Sequence, residues 1–100
     1  MKVNVQSVNF NADQKLIDFI QNRMDKLEVF YDRVIDSDIY LKVENTSSKE
    51  NKIVEIKMRV PKDSFMVKKQ CKSFEEGVDL ACSSLERKLK KKKEKLKLFA

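Results

Sequence analysis

The chain has 100 residues, of which 41% are apolar, with one Gly and one Pro, and this composition excludes collagen-like and low-complexity architectures. It predicts one small domain with a single core, because the length is sufficient for one core and too short for two. The formal net charge of +6 arises from residues 61–100, since residues 1–60 contain ten basic and ten acidic side chains.

The first part of the chain is predicted to form a strand and a helix. Lys2–Val8 alternates between apolar and polar residues, as a strand with one wet face does. Asn11 offers an N-cap for a helix over roughly residues 12–30, where apolar residues recur at helical spacing. Asp36-Ser37 then marks a loop.

Three strands are predicted to follow, because apolar and polar residues alternate over residues 39–43, 54–60 and 65–70. A polar connection over residues 45–52 joins the first two, and a turn at residues 61–64 joins the last two. Consecutive strands with such connections predict an antiparallel meander.

The last stretch, residues 73–100, is predicted to be a long helix, which begins at a capping box formed by Ser73 and Glu76. Lys92 takes a position on its apolar stripe, so we expect the helix to extend beyond the core there. The stripe consists of Phe74, Val78, Ala81, Leu85, Leu89 and Leu96. The cations are Arg87, Lys88, Lys90, Lys91, Lys92, Lys93, Lys95 and Lys97, opposed only by Glu94.

The element order predicts an α+β fold, a two-layer βαβββα sandwich. Every strand alternates and both helices are amphipathic, so both helices should cover one face of a four-stranded sheet and leave the other face wet. We expect a single domain over residues 1–97 and a short C-terminal tail over residues 98–100.

The sequence offers little for catalysis. It contains no His and no phosphate-binding Gly-rich loop. Cys71 and Cys82 lie eleven positions apart, which is not zinc-ligand spacing, and we interpret them as small buried hydrophobic residues. We therefore expect no enzymatic activity, no metal and no cofactor. Two lone thiols and the lack of a secretory or membrane-spanning segment predict a cytoplasmic protein.

The basic helix is the stronger functional signal. A lysine face contacts phosphates without reading bases, which favours structured RNA recognised by shape and charge. Arg23, Lys26 and Arg33 would extend this surface if the two helices lie side by side, which the sequence leaves open. The alternatives are that the lysine run only keeps the domain soluble, that it binds an anionic membrane surface, or that it binds an acidic protein partner.

Two runs resemble a known family. Residues 26–34, with the sequence KLEVFYDRV, and residues 78–81 leading into 85–93 resemble the signatures of the ribosome hibernation promoting factor family, also called the sigma-54 modulation protein or RaiA family. The resemblance implies a fold related to double-stranded RNA-binding domains and binding to 16S rRNA through both helices. Ser84 departs from it, since many relatives have a lysine there. The implied contacts are Arg23, Lys26, Arg87, Lys91 and Lys93, with Lys88, Lys90, Lys92 and Lys95 as additions from this chain.

The resemblance implies a short-form ribosome hibernation factor that silences translation under stress or in stationary phase. It would bind the 30S subunit in the mRNA and tRNA decoding channel and act by occlusion. We expect a monomer off the ribosome, no membrane partner and no small-molecule substrate. A separate ribosome-dimerising factor stays open as a further partner. Two alternative functions also stay open, a general structured-RNA binder and a basic-helix protein-interaction module.

Overall fold

The protein forms one sheet and two helices in the predicted order. A computed structural model describes the backbone of residues 1–8, 10–44 and 50–98, and the side chains of these ranges as far as Glu94. The elements are β1 (Lys2–Val8), α1 (Gln14–Phe30), β2 (Asp36–Val43), β3 (Lys52–Val60), β4 (Asp63–Cys71) and α2 (Phe74–Leu98). The predicted α+β fold and its βαβββα order are confirmed.

The four strands lie in the order β1-β2-β3-β4. β2, β3 and β4 form the predicted antiparallel meander, and β1 pairs with β2 in parallel. A parallel pair requires a crossover connection, and α1 supplies it. Both helices therefore run antiparallel to β1, and their C-terminal ends lie at the same end of the sheet as the β3–β4 turn.

The core lies between one sheet face and both helices. From the sheet, Ile39, Leu41, Ile56 and Met58 are fully buried, as their alternation predicts. The α2 stripe from Phe74 to Leu89 is buried as well. The contribution of α1 to the core is Leu16, Ile20, Met24 and Leu27. Burial of these apolar side chains is the main free energy that holds the helices on the sheet.

Two predictions at the element boundaries are wrong. Helix α1 is capped by Asp13, not Asn11, because the Asp13 carboxylate accepts a hydrogen bond from the Leu16 amide at 2.9 Å. Asp36 and Ser37 lie in β2 instead of a loop. This strand is central, so β1 and β3 both hydrogen-bond to it and extend it beyond its apolar alternation.

The β3–β4 turn is shorter than predicted. Val60 pairs with Asp63, so only Pro61 and Lys62 form the turn, and Ser64 already belongs to β4. Lys62 has a φ of 64°, the left-handed value that the third residue of a type II turn requires after proline. Most of the polar connection predicted for residues 45–52, and residues 99–100 of the predicted tail, lie outside the described residues.

Candidate nucleic-acid interface

The two helices lie side by side, which answers the question that the sequence leaves open. Arg23 of α1 faces Asp79 of α2, with 2.9 Å between Nε and Oδ1. Next to Arg23, the sulfur atom of Met24 lies 4.0 Å from that of Cys82, which is three residues after Asp79 in α2. The cations of α1 and those of α2 therefore belong to one helical layer.

An interhelical groove runs between α1 and the basic part of α2. It consists of two adjoining cavities of about 220 and 200 Å³, which share Phe30. The ammonium of Lys93 lies 5.3 Å from the centroid of the Phe30 ring, within the range of a cation–π interaction. The groove is lined by Arg23, Lys26, Leu27, Phe30, Glu86, Lys90, Lys93 and Glu94.

Arg23 is partly covered and lies beside a carboxylate. Its side chain is only 26% exposed and forms an ion pair with Asp79. Its Nε–H is not aligned with any acceptor among the described residues, so this contact is electrostatic without being a well-formed hydrogen bond. Arg23 consequently makes an electrostatic contact between the two helices, and Asp79 offsets part of its charge.

The opposite side of α2 carries a second basic surface, which we call the β4 flank. It is a cavity of about 430 Å³ lined by Asp63, Phe65, Lys88, Lys91 and Lys92. Lys92 Nζ lies 3.7 Å from Asp63 Oδ2, and the Lys92 side chain is 22% exposed. This explains the break in the apolar stripe, because a lysine there can cover its stem beside the start of β4 and place its ammonium beside a carboxylate.

The remaining predicted site residues are not gathered in either place. Arg87 is exposed on α2, outside the residues that line the groove and the β4 flank. Arg33 is exposed in the connection between α1 and β2. Lys95 lies in α2, but its side chain is outside the described residues. Arg33 and Arg87 therefore add exposed positive charge outside the groove and the β4 flank.

The open face of the sheet is more balanced in charge. Lys68 Nζ lies 3.7 Å from a Glu55 carboxylate oxygen, and Arg59 donates hydrogen bonds to Asp36. The Arg59 guanidinium holds the pKa of Asp36 below its ordinary value through this hydrogen bond. The cations most concentrated in space are therefore those of the helical layer.

Sequence analysis missed four residues at this interface. Asp63 and Asp79 each face a predicted cation, and Phe30 and Phe65 place aromatic rings beside the basic helix. The sequence gives no local signal for these contacts, because each joins residues from different elements. Asp63 could have been located only from the hairpin register. Its pairing with Val60 places it at the start of β4, on the sheet face that the helices cover.

The two thiols are buried, as the sequence predicts. Burial raises the pKa of Cys82 to about 11, and it raises the pKa of Cys71 as well. Within the described parts of the chain, no group of three or more Cys, Asp or Glu side chains is placed to hold a metal ion. None of the helices in those parts is long and apolar enough to cross a membrane.

Comparison with known proteins identifies the family. Residues 3–97 match the sequence profile of the sigma 54 modulation protein / S30EA ribosomal protein family. The chain belongs to this family. The resemblance carried by residues 26–34 and 78–93 is thereby confirmed.

Two curated relatives of the family are similar along nearly all of this chain. The ribosome hibernation promoting factor of Pseudomonas putida is 25% identical over 95 residues, which are 95% of this chain and 89% of the relative. The ribosome hibernation promotion factor of Bacillus subtilis is 24% identical over 98 residues. The alignment covers 96% of this chain, but the chain spans only 50% of that relative.

Two solved structures share the fold of this family member. A ribosomal subunit interface protein from Coxiella burnetii superposes with a TM-score of 0.83 at 18% identity, covering 94% of this chain and 99% of that one. The N-terminal domain of Protein Y from Thermus thermophilus superposes with a TM-score of 0.78 at 16% identity, covering 91% and 98%. At these identities the likeness concerns the fold alone.

Proposed function

We propose that this protein is a ribosome hibernation factor that binds the small ribosomal subunit through 16S rRNA in the mRNA and tRNA decoding channel. The observation that carries the proposal is the adjacency of α1 and α2, which gathers cations from both helices into one layer of a domain of this family. The naming of its relatives as hibernation factors supports the same function.

The chemistry of the helical layer fits a phosphate backbone. Lysine ammonium groups are compact charges that contact phosphates from many directions and carry no base specificity. The exposed cations Lys26, Arg87, Lys90, Lys91 and Lys93 require no rearrangement of the core to meet RNA. If about six phosphates are engaged, the logarithm of the affinity falls with the logarithm of salt concentration with a slope of about −4 to −5.

Silencing follows from occupancy and needs no catalytic group. A protein seated in the decoding channel competes with mRNA and tRNA for the same space, so translation stops while it is bound. We propose that the protein acts without enzymatic activity, in the cytoplasm and as a monomer off the ribosome. A ribosome-dimerising partner would then be a separate factor.

Co-sedimentation of the purified protein with 30S, 50S and 70S particles across a salt series tests the proposal. We expect saturable one-to-one binding to 30S and 70S particles, and loss of binding when mRNA and tRNA are loaded first. Equal binding to all three particles would reject the channel and indicate a general RNA binder. A stoichiometric complex with an acidic protein that resists ribonuclease would indicate a protein-interaction module.

Charge reversal tests which surface is used. The double variant Lys91→Glu/Lys93→Glu changes one cation on each side of α2, and we expect it to weaken 30S binding by roughly tenfold or more at moderate salt. Lys42→Glu/Lys57→Glu is the matched control, because it changes the net charge equally on the open sheet face. Equal loss in the two variants would show that only net charge matters, and no loss in either would reject the helical layer.

A further inference from the structure

The β4 flank has the dimensions of a ligand site. Its cavity of about 430 Å³ is about twice the volume of either cavity in the interhelical groove, at about 220 and 200 Å³. Small-molecule sites in proteins start at about 300 Å³, whereas a single phosphate needs much less space. The cavity therefore suits a larger group than an inorganic anion.

Its lining combines positive charge with an aromatic ring. Lys88 and Lys91 are exposed, and neither forms an ion pair among the residues that the structure describes. Lys92 is already paired with Asp63, at 3.7 Å, so two unpaired ammonium groups remain. Phe65 comes from the edge strand β4, packs against the core and is only partly buried, and it also lines the cavity.

The ring of Phe65 differs from that of Phe30 in one respect. Lys93 already covers Phe30, with its ammonium 5.3 Å from the ring centroid. Among the described residues no cation lies over Phe65, so a planar group would not have to displace one there. Planar bases stack on aromatic side chains regardless of sequence, and phosphates bind beside them on lysines.

We propose that the β4 flank holds one unstacked nucleotide, with its base against the ring of Phe65 and its phosphate on Lys88 and Lys91. The Asp63 carboxylate lies at the same cavity and can accept a hydrogen bond from an amino group of the base. The inference rests on the proposed function, because the bound RNA would present this nucleotide from a single-stranded segment. A free mononucleotide would offer the same chemistry.

Calorimetric titration of the full chain with AMP, ribose 5-phosphate and inorganic phosphate tests the pocket. We expect AMP to bind about tenfold more tightly than ribose 5-phosphate, because only AMP has a base to stack. Phe65→Leu should remove this difference. Tyr40→Leu removes a ring from the opposite sheet face and should preserve it. Equal affinities for AMP and ribose 5-phosphate in the wild type would overturn the inference.

A second variant covers the case in which Phe65→Leu disturbs the core. Lys88 and Lys91 are exposed, so Lys88→Gln/Lys91→Gln leaves the core intact and should weaken binding of AMP about tenfold. The matched control Lys42→Gln/Lys57→Gln should bind AMP as the wild type does. AMP affinity that survives the loss of Lys88 and Lys91 would overturn the inference, as would binding of a glutamate-rich peptide containing phenylalanine without any binding of AMP.

Binding to 30S particles shows whether the nucleotide comes from RNA or is free. It also distinguishes failure of the pocket from failure of the proposed function. If Phe65→Leu weakens both AMP and 30S binding, the nucleotide belongs to the bound RNA. If it weakens AMP binding alone, the pocket takes a free nucleotide. If the wild type does not bind 30S particles at all, the proposed function fails, and the AMP titration still decides the pocket.

Discussion

Gly77 of α2 lies directly against Val54 of β3. A Cβ atom at position 77 would be 2.8 Å from Val54 Cγ2 and 3.5 Å from Val54 Cβ, and the first distance is below van der Waals contact. The φ of Gly77 is not positive, so its backbone conformation does not require glycine. Glycine is needed here because a side chain would prevent the close approach of helix and sheet. This contact sets how closely the basic helix lies over the sheet.

We expect Gly77→Ala to lower the free energy of unfolding by about 1–2 kcal/mol. Overpacking against Val54 costs about 1–3 kcal/mol, and the better helix propensity of alanine returns up to about 1 kcal/mol. Urea unfolding measures the change. Ser83→Ala, at an exposed site of the same helix, is the control and should alter stability by less than about 0.5 kcal/mol.

The double variant Gly77→Ala/Val54→Ala makes this test specific. The shortened side chain at position 54 leaves room for the new methyl group, so the double variant should lose less stability than the sum of the single variants. Additive losses would mean that the destabilisation by Gly77→Ala does not come from the contact with Val54.

Lys91 and Lys92 are neighbours in sequence but should differ in RNA binding. Lys91 is exposed, whereas Lys92 is largely covered and lies beside Asp63. Lys91→Gln should lower the magnitude of the salt slope of 30S binding by about 0.7–0.9, the contribution of one phosphate contact. Lys92→Gln should lower it by less, which binding measured at four or more salt concentrations can resolve.

Asp63→Asn is expected to increase 30S affinity. It removes a negative charge from the β4 flank and releases Lys92 from its ion pair, so a further ammonium becomes available to phosphate. Glu94→Gln removes a negative charge from the interhelical groove and provides the comparison. An affinity lowered by Asp63→Asn would show that the Lys92–Asp63 pair orients the helix for binding.

Arg23 and Asp79 should be coupled in stability. A double-mutant cycle with Arg23→Gln and Asp79→Asn is expected to give a coupling energy of about 0.5–1 kcal/mol, as for other partly exposed ion pairs. High salt should reduce the coupling, because mobile ions screen an exposed pair. A coupling near zero would mean that Arg23 has its charge free for RNA.

Cys82 should be protected from alkylation in the folded protein. Burial raises its pKa to about 11, so little thiolate forms at pH 8, and burial also blocks the reagent. Iodoacetamide labelling followed by mass spectrometry should be much slower in buffer than in urea. Fast labelling of Cys82 in the native protein would contradict the packing of Met24 against it.

The same pKa predicts how stability depends on alkaline pH. The folded pKa of Cys82 lies above that of an unfolded thiol, about 8.5–9, so its contribution to stability is complete below that pH. The contribution is lost as pH rises towards 11. The urea midpoint of the wild type should therefore fall over this range more than that of Cys82→Ala.

The order of the elements and the faces that they bury follow from patterns within each segment. The α2 stripe from Phe74 to Leu89 and the alternation of β3 depend only on periodicities of 3.6 and 2, which are properties of each segment alone. The positions of the cations in α2 and the runs that resemble the family are likewise visible within single segments of the sequence. The limits of the segments depend on their neighbours, since Asp36 and Ser37 extend β2 by pairing with β1 and β3.

The arrangement of the cations, in contrast, depends on how the elements pack against one another. Whether Arg23 is free, whether Lys92 has a partner and which ring stays open beside the basic helix all depend on distances between different elements. Those distances follow from the strand register and from the depth of α2 over β3, which Gly77 permits. The sequence around a side chain does not show its partner on another element, because the two meet only when the core has packed.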